Sequence, residues 1–78
     1  MADIKVYGAD WCSMTKRTLA HLDRRHISYE YVDIDDDPVL FERYTDDVPV
    51  IFIGGQLFAQ HRIDLALLRS RLEEVKTS

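Results

Sequence analysis

Apolar and polar residues alternate in short segments along this chain, and the period of the alternation changes from one segment to the next. Residues 4–7 combine β-branched and aromatic side chains and end at Gly8, which predicts a first strand. From Cys12 to about Arg25 there is no Gly or Pro, and apolar positions recur at helical spacing. The chain is therefore predicted to open with a strand and a helix.

The middle of the chain repeats this order. Residues 29–34 alternate as a strand does, and Asp37 then precedes Pro38. Because Asp is a favoured N-cap and Pro suits the first helical turn, this pair predicts a short second helix that ends near Tyr44.

The last third contains a hairpin and a final helix. Residues 50–53 form a continuous apolar segment typical of a buried strand, Gly54-Gly55 predicts a two-residue turn, and residues 56–58 return as the antiparallel partner. Asp64 then precedes leucines at helical spacing, which predicts a capped last helix.

The predicted order is β-α-β-α-β-β-α, and the fold class is α/β. The helical crossover makes the first two strands parallel and the Gly-Gly turn makes the last two antiparallel, so we expect a four-stranded mixed sheet flanked by helices. With 78 residues and no linker, residues 1–78 are expected to form a single domain.

Composition and charge exclude several classes of function. The net charge is −4 and no basic stripe exists, so we expect no nucleic-acid partner. The longest apolar run, residues 48–53, is too short for a bilayer and the first residues do not resemble a signal peptide, so we expect no membrane association. A single cysteine excludes an internal disulfide and indicates a reducing compartment, so we expect a cytoplasmic protein. We also expect a monomer.

Cys12 is the residue to which chemistry is most readily assigned. It follows the first strand and a short loop, which predicts a position at the N-terminal end of the first helix. The unpaired N–H groups and the dipole there favour thiolate over thiol, so Cys12 is a candidate nucleophile for thiol–disulfide exchange. The alternative is a buried structural cysteine.

We predict no metal site. Asp33, Asp35 and Asp37 copy the first acids of a calcium loop, but Pro38 occupies the position of its Gly and Tyr44 that of its closing Glu. The three histidines lack the spacing of metal ligands, and one cysteine does not complete a zinc site.

Three stretches carry a family resemblance: Val6-Tyr7, Trp11-Cys12-Ser13-Met14-Thr15, and Val48-Pro49 before a strand and a Gly-Gly hairpin. They resemble glutaredoxins and mycoredoxin-type proteins of the thioredoxin superfamily, and the resemblance covers nearly the whole chain. It implies a thioredoxin/glutaredoxin-like fold in which Cys12 is the attacking thiol and Pro49 is a cis residue facing it.

The resemblance also implies a reaction. Thr15 stands where dithiol members have their resolving cysteine, which implies a monothiol route. The co-substrate is then glutathione or another small thiol, the substrates are mixed disulfides of proteins with that thiol, and no cofactor is bound. The Thr15 hydroxyl either donates a hydrogen bond to the thiolate or simply faces inward from the helix.

A substrate-binding set follows from the same resemblance. Trp11 is a flat apolar surface or a packed loop residue, Ser13 adjoins the thiol, and Val48 before Pro49 is expected to offer free backbone N–H and C=O groups. Asp64 either accepts a ligand amino group or caps the last helix. The chain departs from the family pattern in lacking a Lys before the cysteine and a Gly-Gly-x-Asp-Asp segment, where residues 59–64 differ.

Two alternatives to an oxidoreductase stay open. A thioredoxin-fold binding domain without redox turnover is consistent with the missing second cysteine. An iron–sulfur carrier, with Cys12 and external glutathione as ligands, is less favoured because monothiol carriers have Cys-Gly-Phe-Ser where this chain has Cys-Ser-Met-Thr.

Overall fold

The computed structural model describes residues 4–77, which lie within the predicted domain of residues 1–78. Its elements follow the predicted order: β1 Ile4–Gly8, α1 Ser13–Arg24, β2 Glu30–Asp33, a 3₁₀ turn Ile34–Asp36, α2 Pro38–Tyr44, β3 Val50–Ile53, β4 Gln56–Gln60 and α3 Leu65–Thr77. Among the helices of this described part, none has the length and apolar character needed to span a bilayer.

The four strands form one mixed sheet in the order β2-β1-β3-β4. β1 is parallel to β2 and antiparallel to β3, and β3 pairs antiparallel with β4 through the Gly54-Gly55 turn. Both glycines of this turn have positive φ, 60° and 79°, which is the conformation that the sequence predicts there. The predicted thioredoxin/glutaredoxin-like fold, with its mixed sheet flanked by helices, is confirmed.

Each face of the sheet is covered by a different set of helices. On one face α1 and α3 bury the main core, whose fully buried members include Val6, Leu22, Ile51 and Leu68. On the other face α2 lies over β1, where the rings of Tyr7 and Tyr44 stack with centroids 5.0 Å apart. The alternation of side chains along β1 thus divides the strand between two helical layers.

Several element boundaries differ from the predictions; β2, for example, begins at Glu30 and not at residue 29. β2 ends at Asp33 because the Asp33 side chain accepts a hydrogen bond from the Asp35 N–H (2.9 Å) and turns the chain into the 3₁₀ turn. β4 continues two residues beyond the predicted end, to Gln60, and the extra residue Phe58 between Leu57 and Ala59 shifts the register so that Gln60 pairs with Val50. Cys12 has extended backbone angles and is the N-cap of α1 rather than its first residue.

Candidate functional site

Cys12 lies where β1 passes into α1. Ala9, directly after the strand, is buried, and its carbonyl accepts a hydrogen bond from the Cys12 N–H at 3.1 Å, which closes a tight turn through Asp10 and Trp11. The turn sets Cys12 at the N-terminus of α1, as the sequence predicts. The side chain is half-buried, so the thiol is neither enclosed in the core nor fully in solvent.

The sulfur of Cys12 faces the residue before Pro49. Its Sγ donates a hydrogen bond to the Val48 carbonyl oxygen at 3.7 Å, and the Val48–Pro49 peptide bond is cis. The predicted cis proline next to the cysteine is therefore confirmed. Because only a protonated sulfur donates, this hydrogen bond belongs to the thiol form and is given up when the thiolate forms.

The expectation that Val48 offers both backbone groups freely is wrong for its N–H. That group donates to the Tyr44 carbonyl at 3.0 Å, and the same oxygen accepts from Asp47 N–H at 2.8 Å. The reason is that the last carbonyls of α2 have no partner within the helix and take one from the following turn. The Pro49 carbonyl also accepts a hydrogen bond, from the His61 N–H at 3.0 Å.

Trp11 is one of the exposed large side chains, at 55%. Its indole Nε1–H donates to the carboxylate of Asp35, with distances of 3.1 and 3.3 Å to the two oxygens. The ring is thus held at one edge and open to solvent elsewhere. The exposed ring, with an acidic group at its polar edge, excludes the packed alternative for Trp11, and its role as a substrate surface beside the thiol stays a prediction.

Thr15, one turn into α1, is only 1% exposed. Its hydroxyl has no hydrogen-bond partner among the described residues, and so none in Cys12. The side chain packs against Gly8, where an added Cβ would overlap the Thr15 methyl group. The inward-facing alternative describes what the structure shows, and a hydroxyl–thiolate contact stays a prediction.

Replacing Thr15 with valine is expected to raise the free energy of unfolding by about 1 kcal/mol, because the change keeps the shape and removes a buried hydroxyl without a partner. Chemical denaturation measures this difference. Thr18→Val is the matched control. Thr18 is equally buried in α1, but its hydroxyl donates to the Met14 carbonyl at 2.9 Å, so this substitution should not raise the free energy of unfolding. Equal effects of the two substitutions would contradict the interpretation.

The other two residues of the predicted substrate-binding set, Ser13 and Asp64, lie at the starts of helices. Ser13 is the exposed first residue of α1. Asp64 accepts hydrogen bonds from the backbone N–H groups of Ala66 (3.0 Å) and Leu67 (3.2 Å), so it caps α3 as one of its two predicted roles requires. Its role as an acceptor for a ligand amino group stays a prediction.

A second buried cluster lies beneath the thiol. Ala9 from the β1–α1 turn, Ile34 from the 3₁₀ turn and Val48 from the α2–β3 connection pack together, and Cys12 contacts them. Three connections far apart in sequence therefore meet at the sulfur.

Acidic side chains accompany these connections. The pKa of Tyr31 is raised to about 12, first by burial and then by the negative charges of Asp33, Asp10, Asp35 and Asp36. Asp10 and the carboxylates after β2 thus act on the same phenol. Despite their number, no three Asp, Glu, His or Cys side chains in the described part of the chain are arranged to hold a metal ion.

Sequence reasoning missed the contact between Trp11 and Asp35. In the sequence, the acids after β2 resemble only the start of a calcium loop, and the rest of the calcium-loop pattern is missing. The signal that would find the contact is topological: β1 and β2 are adjacent and parallel, so the segments that follow them emerge at the same edge of the sheet.

A mixed sheet flanked by helices, with a cysteine at the start of α1 against a cis proline, defines a thioredoxin-superfamily protein of the glutaredoxin type. The family described as glutaredoxin-like domain (DUF836) matches residues 4–73, and the chain belongs to this family. Comparison with curated proteins gave no match.

Solved structures show the same fold. A structural-genomics target protein from X. campestris has a TM-score of 0.73 and 27% identity, covering 91% of this chain and 96% of that one. Glutaredoxin from Brucella melitensis has a TM-score of 0.72 and 27% identity, covering 96% and 88%. A buckwheat glutaredoxin in complex with glutathione has a TM-score of 0.64 and 17% identity, covering 96% and 72%.

Proposed function

We propose that this protein is a monothiol thiol–disulfide oxidoreductase that reduces mixed disulfides between a small thiol and a protein through Cys12. The observation that carries the proposal is the position of the sulfur: half-buried, at the N-terminus of α1, and 3.7 Å from the carbonyl that precedes Pro49. The positive end of the helix dipole favours the thiolate, which is the nucleophile in disulfide exchange.

The reaction needs two exchanges. The Cys12 thiolate attacks the small-thiol sulfur of the mixed disulfide, a new disulfide forms between Cys12 and the small thiol, and the protein leaves as a thiolate that takes up a proton. A second small thiol, as thiolate, then attacks that disulfide and leaves with the first as an oxidised pair, while Cys12 is regenerated. The chain has one cysteine, so no internal disulfide competes with this route.

The surroundings of the sulfur supply the docking groups of the proposal. The exposed residues Trp11 and Ser13 flank Cys12 in the sequence, and the Val48 carbonyl becomes available when the thiol proton is lost. Glutathione is the first co-substrate to test, since the similar buckwheat protein was solved with it, although that similarity concerns the fold. Asp64 is the proposed acceptor for the ligand amino group.

Mass spectrometry of the folded protein after incubation with oxidised glutathione, and separately with other small disulfides, tests the proposal. We expect one adduct per chain, located at Cys12 by peptide mapping. The same chain unfolded in guanidinium is the control, because it shows that the thiol is chemically competent. Adducts on the unfolded chain and none on the folded protein, with any disulfide, would refute the proposal.

One observation favours the alternative of a binding domain without turnover. The Val48 N–H is already bonded to the Tyr44 carbonyl, so an extended substrate finds only one of the two expected backbone groups. Under this alternative the adduct at Cys12 forms but is not released by reduced small thiol. Following loss of the adduct after adding that thiol separates the two functions.

A further inference from the structure

Charge is distributed unevenly around the thiol. Three connections meet there, residues 9–12, 33–37 and 45–49, and we call their carboxylates the acidic rim. The rim holds seven of the 14 acidic residues of the chain, whereas none of the ten Lys and Arg residues lies in these segments. The members of the rim are Asp10, Asp33, Asp35, Asp36, Asp37, Asp46 and Asp47.

The structure brings the three connections that bear the rim together at the sulfur. The contact between Cys12 Sγ and the Val48 oxygen ties the third connection to the first, and the Trp11 indole donates to Asp35 of the second at 3.1 Å. The negative charges of four rim carboxylates also act together on one phenol, since Asp33, Asp10, Asp35 and Asp36 all raise the pKa of Tyr31.

The rim is mostly turned to solvent and little neutralised. Asp10, Asp36 and Asp46 are exposed, and within the described residues their side chains make no hydrogen bond or ion pair. Cations also border the rim. Arg43 lies over the Tyr44 ring at 5.5 Å just before the third connection, Arg62 follows β4 beside His61, whose N–H donates to the Asp47 carbonyl, and Lys16 lies one turn into α1.

Trp11 adds a second element to the same surface. Its ring is 55% exposed and its N–H edge is fixed against a carboxylate. An aromatic face attracts cations through its quadrupole, and a neighbouring carboxylate adds to that attraction. An exposed indole that contacts a carboxylate is therefore suited to a positively charged group of a substrate whose disulfide lies at the adjacent residue, Cys12.

We infer that Cys12 selects disulfides that carry positive charge near the sulfur, such as mixed disulfides with a cationic thiol or with a basic protein segment. The inference rests on the proposed function and specifies its substrate class. In this step the Cys12 thiolate attacks one sulfur of the substrate disulfide. A bond forms between Cys12 Sγ and that sulfur, the original S–S bond breaks, and the other half leaves as a thiolate. The rim accelerates this step for cations by raising their local concentration and slows it for anions.

Three small disulfides of graded charge test the inference: cystamine, a dication; hydroxyethyl disulfide, neutral; and dithiodipropionate, a dianion. The rate of adduct formation on the folded protein is measured by mass spectrometry and divided by the rate of a free neutral thiol with the same reagent, which removes the intrinsic reactivity of each disulfide. At about 10 mM salt the corrected rate for the dication should exceed that for the dianion by about tenfold or more. In about 1 M salt the ratio should fall towards one.

Two charge variants form a matched pair. Asp10→Asn removes one carboxylate of the rim, whereas Glu30→Gln removes one at the opposite end of β2, about 10 Å from Asp33 along the strand. We expect Asp10→Asn to lower the dication-to-dianion ratio about twofold, Asp10→Asn with Asp36→Asn to lower it further, and Glu30→Gln to leave it nearly unchanged.

The outcomes separate this inference from the proposed function. Corrected rates that do not depend on charge, or that favour the dianion, overturn the inference and leave Cys12 an exchange-competent thiol. Equal effects of Asp10→Asn and Glu30→Gln also overturn it, because the selectivity would then follow net charge rather than the rim. Absence of any adduct with all three reagents overturns the proposed function itself.

Discussion

Replacing Cys12 with serine is expected to reduce the release of glutathione from a glutathionylated test protein to the uncatalysed background. The loss should be on the order of a hundredfold or more, because a serine hydroxyl stays protonated near neutral pH and forms no disulfide. The chain has no other cysteine to replace the lost thiol. Release is measured by coupling oxidised glutathione to its reductase.

Ser70→Ala is the control for this experiment, since Ser70 is exposed on α3 and has no part in the site. It should keep the rate of the parent protein. Circular dichroism of Cys12→Ser checks that the fold is intact, which we expect because the half-buried thiol makes a single, long hydrogen bond among the described residues. A variant that folds normally and retains the catalysed rate would show that Cys12 is not the nucleophile.

Replacing Leu68 with alanine is expected to lower the free energy of unfolding by about 3 to 5 kcal/mol. Leu68 is fully buried where α3 packs on the sheet, in the same cluster as Val6, Leu22 and Ile51. The total stability of a small domain is about 5 to 15 kcal/mol, so the loss is a large fraction of it. The midpoint of urea denaturation at constant slope measures the change.

The neighbouring residue provides the control for Leu68. Leu67 has the same side chain in the same helix but is 58% exposed, so Leu67→Ala should change the free energy of unfolding by less than about 0.5 kcal/mol. Similar losses from the two substitutions would show that α3 does not pack on the sheet through Leu68.

Local chemistry explains why most of the fold is predictable from the sequence. The Gly54-Gly55 turn needs positive φ at both positions, and the caps at Asp37 and Asp64 need only a carboxylate before a helix start. These features act over two to four residues, so the sequence pattern contains them. The cis bond at Pro49 was predicted only through the family resemblance, since an isolated proline does not indicate it.

The contacts around the thiol were less predictable because they join distant segments. The bond between Trp11 and Asp35 spans 24 positions, and the use of the Val48 N–H depends on where the last turn of α2 comes to lie. Burial of the Thr15 hydroxyl without a partner follows from the close approach of α1 to Gly8. Propensity and spacing do not encode such distances, which arise only when the layers pack.

The fixed indole of Trp11 makes the site optically visible. It belongs to the chain's single tryptophan, so all of the protein's indole fluorescence originates from the residue next to Cys12 in the sequence. Emission from an indole responds to charge and to groups that approach its ring. Attachment of a small thiol should therefore change the emission intensity, and stopped-flow fluorescence can follow each exchange in real time without a label.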